Sequence, residues 1–246
     1  MTIRQFTIAL FSIIVTSVSA MDFDTLALKA DRFYHFQEWA SASAMFELML
    51  DQRPDDTPTY ARAIVAAGIT ADSIKQVSLM ERAIDNRIPF DSIFSAVEHE
   101  SFALGKAPLY EQFLLLVKEK QPWLSRNIDA HLLSYYTFRR NPDKMIEMSQ
   151  AMLQGLPDSI EFLTLLAQGY TYRGDCDKAI RTYLRILTID PDNYNALLEV
   201  GNYYLLRYES DPTDTDARTI ASTHLSAANA IYATPYVSEA LNRLNQ

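Results

Sequence analysis

The 246-residue sequence predicts an all-α fold in which a pair of helices is repeated along the chain. Apolar residues follow helical spacing throughout, and no alternation typical of a strand extends over any length. Prolines also recur about every 34 residues, with one longer interval at the end. These prolines are Pro54, Pro89, Pro122, Pro157, Pro191 and Pro235. A period of this length holds two helices and their turns.

The first twenty residues predict a secretory leader. Arg4 supplies a positive charge, residues 6–15 are almost all apolar, and small residues precede a cleavage point expected after Ala20. A permanent transmembrane anchor is the competing interpretation, but the apolar run is shorter than the ~20 residues that span a bilayer. We therefore expect an exported protein with no transmembrane anchor after leader cleavage, located in the periplasm or, alternatively, secreted.

Three helix pairs are expected first, over residues 23–56, 58–90 and 91–124. The first pair has small and apolar residues at the spacing of two packed helices, which are Leu26, Ala30, Phe33, Ala42 and Phe46. The third pair has an equivalent set, which is Phe94, Val97, Gly105, Leu114 and Val117. The second pair departs from the pattern, because Gly68 stands where an aromatic residue is expected and the turn has no glycine.

The next three pairs, expected over residues 126–159, 160–193 and 194–235, match one another more closely. Counted from the first residue of each range, the seventh, eighth and eleventh positions repeat. In chain order they are Leu132, Leu133 and Tyr136, then Leu166, Ala167 and Tyr170, then Val200, Gly201 and Tyr204. The repetition predicts that the three pairs pack in the same way.

Packing explains why these residue types recur. Small residues at Ala167, Ala179 and Gly201 are expected to let two helices approach closely, while Tyr170 fills the space beside them. Pro191 ends the second helix of its pair, because its ring clashes with the preceding turn and it has no amide proton.

The last pair is interrupted. A polar insertion near residues 209–219 lengthens the final interval between prolines and is expected to be a solvated loop. Residues 236–246 then predict a capping helix with Val237, Ala240 and Leu241 on its inner face. Such a helix would cover the apolar side that a terminal repeat otherwise exposes.

The best-matched pair resembles the tetratricopeptide repeat, a unit of two antiparallel helices. The matching residues are Leu163, Leu166, Ala167, Tyr170, Gly174, Ala179, Tyr183 and Pro191. The resemblance covers residues 126–207 strongly and the rest of the chain after the leader more loosely. It implies a right-handed α-solenoid of stacked helix-turn-helix repeats with a C-terminal capping helix.

The resemblance also implies a partner-binding wall, formed by positions two, six, nine and thirteen of each first helix. Carried over to the three closest repeats, these positions are Asn127, His131, Ser134, Phe138, Glu161, Leu165, Gln168, Tyr172, Asn195, Glu199, Asn202 and Leu206. Amides that can hold a peptide backbone stand there beside apolar side chains that can hold its anchors. Solvated helix faces with incidental aromatic residues are the alternative interpretation.

The charge balance limits the class of partner that the protein is expected to bind. The chain has 31 acidic and 22 basic residues, so nucleic acid is not expected and a neutral or basic protein partner is favoured. Cys176 is the only cysteine, which excludes an intrachain disulfide, and we expect it to be a small packed residue.

No arrangement for catalysis or for a cofactor stands out. The sequence has no phosphate-binding glycine loop and no nucleophile elbow. No two of the four histidines have the spacing that puts two imidazoles on one helical face, so no metal site is expected. Acidic residues of the insertion raise calcium binding as an alternative, and these are Glu209, Asp211, Asp214 and Asp216.

The sequence therefore favours a non-catalytic scaffold or adaptor that binds a peptide segment or a helix of another exported protein in its concave groove. Two hypotheses from other classes stay open. One is a helical hydrolase acting on cell wall or peptides, which requires titratable residues grouped in one pocket. The other is a self-associating structural module in which the C-terminal helix of a neighbouring copy fills the groove.

Overall fold

Residues 21–244 are described in the computed structural model, and they form α-helices joined by short turns. The predicted leader, residues 1–20, and the last two residues of the predicted capping helix lie outside this range. The range contains thirteen α-helices, one 3-10 turn and no strand. None of these helices combines the length and the apolar character needed to cross a bilayer.

The first compact unit ends at His131. Its helices are α1 (Phe23–His35), α2 (Trp39–Gln52), α3 (Thr57–Ile69), α4 (Ser73–Asp85), α5 (Phe90–Ala103) and α6 (Pro108–Lys120), followed by a 3-10 turn (Pro122–Leu124). Each helix packs against the next, and α3 also packs against α5. Large side chains that are almost completely buried form the core, and they include Phe46, Tyr60, Phe94, Tyr110 and Phe113.

The second compact unit begins at Leu132, within α7 (Ser125–Phe138). Its further helices are α8 (Pro142–Gly155), α9 (Ile160–Arg173), α10 (Cys176–Ile189), α11 (Tyr194–Ser210), α12 (Thr215–Ile231) and α13 (Pro235–Leu244). From α8 onward, each helix packs against the next. Stacking of successive helix pairs confirms the predicted α-solenoid class, while the right-handed superhelical twist stays a prediction.

Most helices begin at a short polar side chain that accepts a hydrogen bond from a backbone N–H three residues later. The residues that do so are Asp22, Asp56, Asp72, Asn141, Ser159, Asn193, Asp214 and Thr234. Such caps satisfy backbone donors that the first turn of a helix leaves unpaired. The starts of the helices are therefore encoded locally.

The turns inside the first five helix pairs share one backbone conformation. A residue with positive φ ends the first helix of each pair, and these residues are Gln37, Ala71, Gly105, Arg140 and Gly174. At the last of them, the Gly174 N–H donates to Thr171 O at 3.0 Å and the Asp175 N–H donates to Tyr170 O at 2.9 Å. The other four turns have the same pair of bonds, which is the Schellman arrangement.

This turn corrects the register of the second pair. Ala71 corresponds to Gly174, and counting back from each shows that Ala67, not Gly68, corresponds to the aromatic Tyr170. Helix α3 accordingly begins at Thr57, one residue before the predicted start of that repeat. The prediction used the prolines as anchors, whereas the left-handed turn residue defines the register.

The insertion near residues 209–219 is mostly helical, so the predicted solvated loop was too long. Helices α11 and α12 each have 17 residues, and only residues 211–214 separate them. Asp214 caps α12, and its carboxylate also pairs with Arg207 of α11 at 2.7 Å. These local bonds allow both helices to extend into the polar segment.

The predicted close approach of two helices at Gly201 is present in the structure. The predicted burial of Cys176 is not. A Cβ atom added to Gly201 would lie 2.7 Å from Leu225 Cγ of α12, so only glycine allows this approach. Cys176 was expected to be packed, but it is exposed at the first position of α10. The first turn of a helix lies at the end of the helix contact, where a side chain faces water.

Candidate partner-binding surface

Three large apolar side chains are exposed at the same position of successive first helices. Phe138 of α7 is 71% exposed, Tyr172 of α9 is 48% exposed and Leu206 of α11 is 59% exposed. Each is separated from the next by 34 residues, so each occupies position thirteen of its repeat. These three side chains are called the position-thirteen residues below.

The other predicted contact residues differ in their exposure. Those that are exposed are Ser134, Glu161, Asn195 and Glu199, whereas those that are half-buried are Asn127, His131, Leu165, Gln168 and Asn202. Every one of them has at least part of its surface in contact with water. Their combination into a single partner site stays a prediction.

The pKa of the Tyr183 hydroxyl is influenced by predicted contact residues of both α9 and α11. Tyr183 lies on α10 and is almost completely buried. Burial raises the pKa of its hydroxyl, and the charge of Glu199 and the neighbouring Tyr172 raise it further. Tyr172 and Glu199 therefore both contribute to the electrostatic environment of the Tyr183 hydroxyl. The sequence identified Tyr183 only as a residue that matches the repeat.

Glu199 and Asn202 place oxygen acceptors on one face of α11, one helical turn apart. Burial raises the pKa of the Glu199 carboxyl, and no charged neighbour contributes to this shift. The Asn202 Oδ1 atom is enclosed by protein and has no hydrogen-bond partner. The exposed Glu199 carboxylate can accept hydrogen bonds from a ligand, whereas a ligand cannot reach the enclosed Asn202 Oδ1 atom.

Arg140 lies beside this surface. Its guanidinium carbon is 5.7 Å from the centre of the Tyr172 ring, within the range of a cation–π contact. Arg140 is also the positive-φ residue between α7 and α8, so its backbone direction is set by the turn. The contact helps to orient the exposed Tyr172 ring.

His131 is already engaged within the first unit. Its Nδ1 atom is 2.9 Å from the Tyr110 hydroxyl, and its Nε2 atom is 3.3 Å from the Asp91 carboxylate. The His131 ring also meets Phe94 edge to face, with ring centres 5.1 Å apart. The sequence did not predict this grouping, because the residues come from three different helices.

The grouping around His131 does not provide an accessible active site. Tyr110 is completely buried, and burial followed by the charges of Glu98 and Asp91 raises the pKa of its hydroxyl. A hydroxyl with a raised pKa is a weak nucleophile, and a substrate cannot reach it. The hydrogen bonds instead hold α5, α6 and the start of α7 together.

No group of three or more histidine, cysteine or acidic residues is placed to bind a metal ion within residues 21–244. The acidic residues raised as calcium ligands have other partners. Glu209 forms two bonds with Arg243, at 2.7 and 2.6 Å, and Asp214 pairs with Arg207. Asp211 accepts hydrogen bonds from Thr213.

Comparison with known proteins adds structural neighbours only. No family model matches the sequence, and no curated protein is significantly similar to it. A solved structure from Bacteroides ovatus is 18% identical, with a TM-score of 0.47 over 77% of this chain and 96% of that one. The C-terminal part of a tetratricopeptide repeat-containing protein from Cytophaga hutchinsonii is 15% identical, with a TM-score of 0.47 over 91% and 85%. A tetratricopeptide repeat protein from Parabacteroides merdae is 12% identical, with a TM-score of 0.39 over 91% and 99%. The chain is thus similar in structure to tetratricopeptide repeat proteins, at low sequence identity.

Proposed function

We propose that this protein is a non-catalytic interaction scaffold that binds an extended segment or a helix of another protein. The binding surface in the second unit consists of the exposed faces of α7 from Leu132 onward, α9 and α11. The observation that carries the proposal is the exposure of the three position-thirteen residues, Phe138, Tyr172 and Leu206. Contiguous exposed apolar surface marks interaction sites in soluble proteins, and the shared repeat position of these three residues supports such a surface.

The polar residues near them suit the same role. Ser134, Gln168 and Asn195 can exchange hydrogen bonds with a peptide backbone, while the position-thirteen residues accept apolar anchors. Helices that are already packed do not have to become ordered when a partner binds, which limits the entropic cost of association. If residues 1–20 act as a leader, the partner is another exported protein, and the periplasm is the proposed compartment.

Photo-cross-linking tests this proposal directly. A benzoylphenylalanine placed at Tyr172 in cells that produce the protein should cross-link to a partner, which mass spectrometry then identifies. The matched control is the same probe at Tyr236 of α13, which is 55% exposed but lies outside the proposed surface. Cross-linking to the same proteins and to the same extent from both positions would contradict the proposal.

Calorimetry with a synthetic peptide of the cross-linked segment completes the test. The double variant Phe138→Ala/Tyr172→Ala should bind this peptide at least about tenfold more weakly, because buried aromatic anchors dominate binding energy. The double variant Trp123→Ala/Tyr236→Ala removes two other exposed aromatic side chains and should bind like the wild type. Unchanged helical circular dichroism would show that both variants are folded.

A further inference from the structure

We infer that a cavity in the first unit binds a small organic acid, whose carboxylate pairs with Arg62 and Lys106 while its apolar body lies against Trp39. The lining of this cavity comes from α1, the start of α2, α3 and the turn between α5 and α6. Every lining residue precedes Leu132, where the second unit begins. The inference is therefore independent of the proposed partner surface.

The cavity has the size and the lining of a small-molecule site. Its volume is about 400 Å³, and such sites occupy about 300–1,000 Å³. They combine apolar walls with a few polar groups in fixed positions. Here Tyr34, Trp39 and Leu104 supply apolar surface, and basic side chains supply charge.

An aromatic wall borders the cavity. The Tyr34 ring meets the Trp39 ring edge to face, with ring centres 5.1 Å apart, and its centre is 5.7 Å from that of Phe46. Tyr34 and Phe46 are almost completely buried, whereas Trp39 keeps part of its surface accessible. The contact with Tyr34 therefore holds an accessible Trp39 ring in place, and the apolar body of a ligand can pack against that ring.

Arg62 is a cation that is held in position and still has hydrogen-bond donors to offer. Its guanidinium carbon is 4.6 Å from the centre of the Tyr34 ring and 5.2 Å from that of Phe46, both within the range of cation–π contacts. Its Nη1 atom donates to the Asp31 carboxylate, and within residues 21–244 its Nε and Nη2 atoms have no acceptor. Two such donors on one planar guanidinium can bind a carboxylate through paired hydrogen bonds.

Lys106 adds a second positive charge, which the described part of the chain does not neutralise. Other lysines of the same unit pair with carboxylates, and these are Lys75, Lys118 and Lys120. Lys106 is exposed, and no carboxylate within residues 21–244 pairs with it. Asp31 is the one acidic residue of the lining, so the lining has a net positive charge even when His35 is neutral. The whole chain, in contrast, has a net charge of −9.

The tyrosine of the aromatic wall adds no negative charge. Burial and then the charge of Glu100 raise the pKa of the Tyr34 hydroxyl, so this group stays neutral at neutral pH. Glu100 itself is not among the residues that line the cavity. An anion is therefore favoured over a cation of the same shape.

Fluorescence titration of the full chain tests the inference. Trp39 and Trp123 are the only tryptophans, so Trp123→Phe leaves Trp39 as the sole reporter. In this parent variant, 3-phenylpropanoate should change the Trp39 emission with a millimolar dissociation constant, as expected for a ligand of about eleven non-hydrogen atoms. The neutral 3-phenylpropanamide has the same shape and should bind at least about tenfold more weakly, because it cannot form charge-assisted hydrogen bonds with both cations.

Two substitutions in the parent variant should act in opposite directions. Lys106→Gln should weaken binding of the acid about threefold to fivefold, leave the amide unaffected, and have a smaller effect in high salt. Asp31→Asn should strengthen binding of the acid by a similar factor, because it removes the carboxylate that competes for Arg62. Lys120→Gln removes an exposed lysine outside the cavity and is the matched control, which should bind like the parent.

Equal affinities for the acid and the amide would overturn the inference, because charge would then not select the ligand. Unchanged binding in Lys106→Gln would do the same, as would a Trp39 emission that stays constant up to about 10 mM acid. Tighter binding of a blocked glutamate-containing peptide than of 3-phenylpropanoate would assign the cavity to an acidic side chain of a partner instead. Phe138→Ala/Tyr172→Ala should bind the acid like the parent, so this inference and the proposed function can fail separately.

Discussion

The second and fifth helix pairs use opposite arrangements of large and small residues at the same two positions. In the fifth pair, α9 contributes the large Tyr170 and α10 contributes the small Ala179. Counted from the left-handed turn residue, the equivalent residues of the second pair are the small Ala67 on α3 and the larger Gln76 on α4. The large residue therefore lies on the first helix in the fifth pair and on the second helix in the second pair.

In each pair the polar group of the larger side chain forms a hydrogen bond, but with a different kind of partner. The Tyr170 hydroxyl accepts a hydrogen bond from Gln150 Nε2 at 3.0 Å. Gln76 is buried, and its Nε2 atom donates to the Ile64 carbonyl at 3.2 Å, next to Gly68. The comparison teaches that the repeat requires a filled volume between its helices, whichever helix supplies it. A sequence can therefore lose the consensus aromatic residue and keep the fold.

Truncation of Tyr170 should produce the largest effect. Tyr170→Ala should reduce the free energy of unfolding by about 3 kcal/mol, because it empties the contact that Ala179 leaves open. The matched control is Tyr172→Ala on the same helix, which removes a half-exposed ring and should change stability by less than about 1 kcal/mol. Urea denaturation followed by circular dichroism measures both, and equal losses would show that Tyr170 does not fill the contact.

Two helical glycines should respond differently to a methyl group. A Cβ atom on Gly169 would lie 2.9 Å from Ile146 Cγ1 and 3.3 Å from Met145 Cβ, close to the α8 backbone. A Cβ atom on Gly68 would lie 2.8 Å from Gln76 Nε2, the terminal atom of a flexible side chain rather than a backbone atom. Gly169→Ala should therefore destabilise the protein by about 1–3 kcal/mol.

Gly68→Ala should cost less than Gly169→Ala, since the amide can rotate and alanine favours the helix by up to about 1 kcal/mol. The same denaturation measurement decides the order of the two variants. A larger loss for Gly68→Ala would mean that the bond from Gln76 to Ile64 is the stronger constraint in the second pair.

The turn residues of the two pairs can be substituted for each other, as Gly174→Ala and Ala71→Gly, to measure backbone strain. Gly174 has a φ of 86° and Ala71 has a φ of 57° at the equivalent position. An L-residue is strained in this region by roughly 1–2 kcal/mol, part of which is offset because glycine loses more entropy on folding. Gly174→Ala should thus destabilise by about 0.5–1 kcal/mol, and Ala71→Gly should stabilise by a similar amount.

Steric crowding is not the reason why Gly174→Ala is expected to lose stability. A Cβ atom on Gly174 would meet no atom within 4 Å, so backbone conformation alone would cause the loss. If Ala71→Gly lowered the melting temperature, the strain argument would fail for the second pair. Calorimetric melting of both variants therefore separates strain from packing.

The regular part of the fold was predictable because it repeats. Prolines reveal the period, and Gly105 and Gly174 mark two of the five left-handed turns that lie inside helix pairs. The turns at Gln37, Ala71 and Arg140 were hidden, because other residues adopt the same conformation when capping hydrogen bonds compensate the strain. Sequence patterns that rely on glycine therefore miss these turns.

The candidate surface was predictable only in part. The exposure of Phe138, Tyr172 and Leu206 follows from their common position in the repeat, and the structure agrees with it. The effect of the Glu199 charge on the pKa of Tyr183 could not be derived, because it depends on how α10 packs against α11. The partners of His131 were hidden for the same reason, since contacts between helices leave no periodic signal.

The smallest expected effect concerns pH and again distinguishes the two pairs. The residue of the second pair that corresponds to Tyr183 is the buried Met80, which has no hydroxyl. In the fifth pair, burial and then the charge of Glu199 on α11 raise the pKa of the Tyr183 hydroxyl, and burial raises the pKa of the Glu199 carboxyl above its ordinary value. The folded protein therefore holds this proton to a higher pH than the unfolded chain does.

Stability attributable to Glu199 should accordingly fall as the pH rises from the unfolded pKa through the raised folded pKa. Glu199→Gln removes this loss, so the variant should match the wild type in acid and become slightly more stable than it near neutral pH. The difference should be small, because Glu199 is accessible to water, which screens its charge. Urea denaturation at a series of pH values checks the sign, and a variant that lost stability towards neutral pH would show that a cation of the chain already pairs with Glu199.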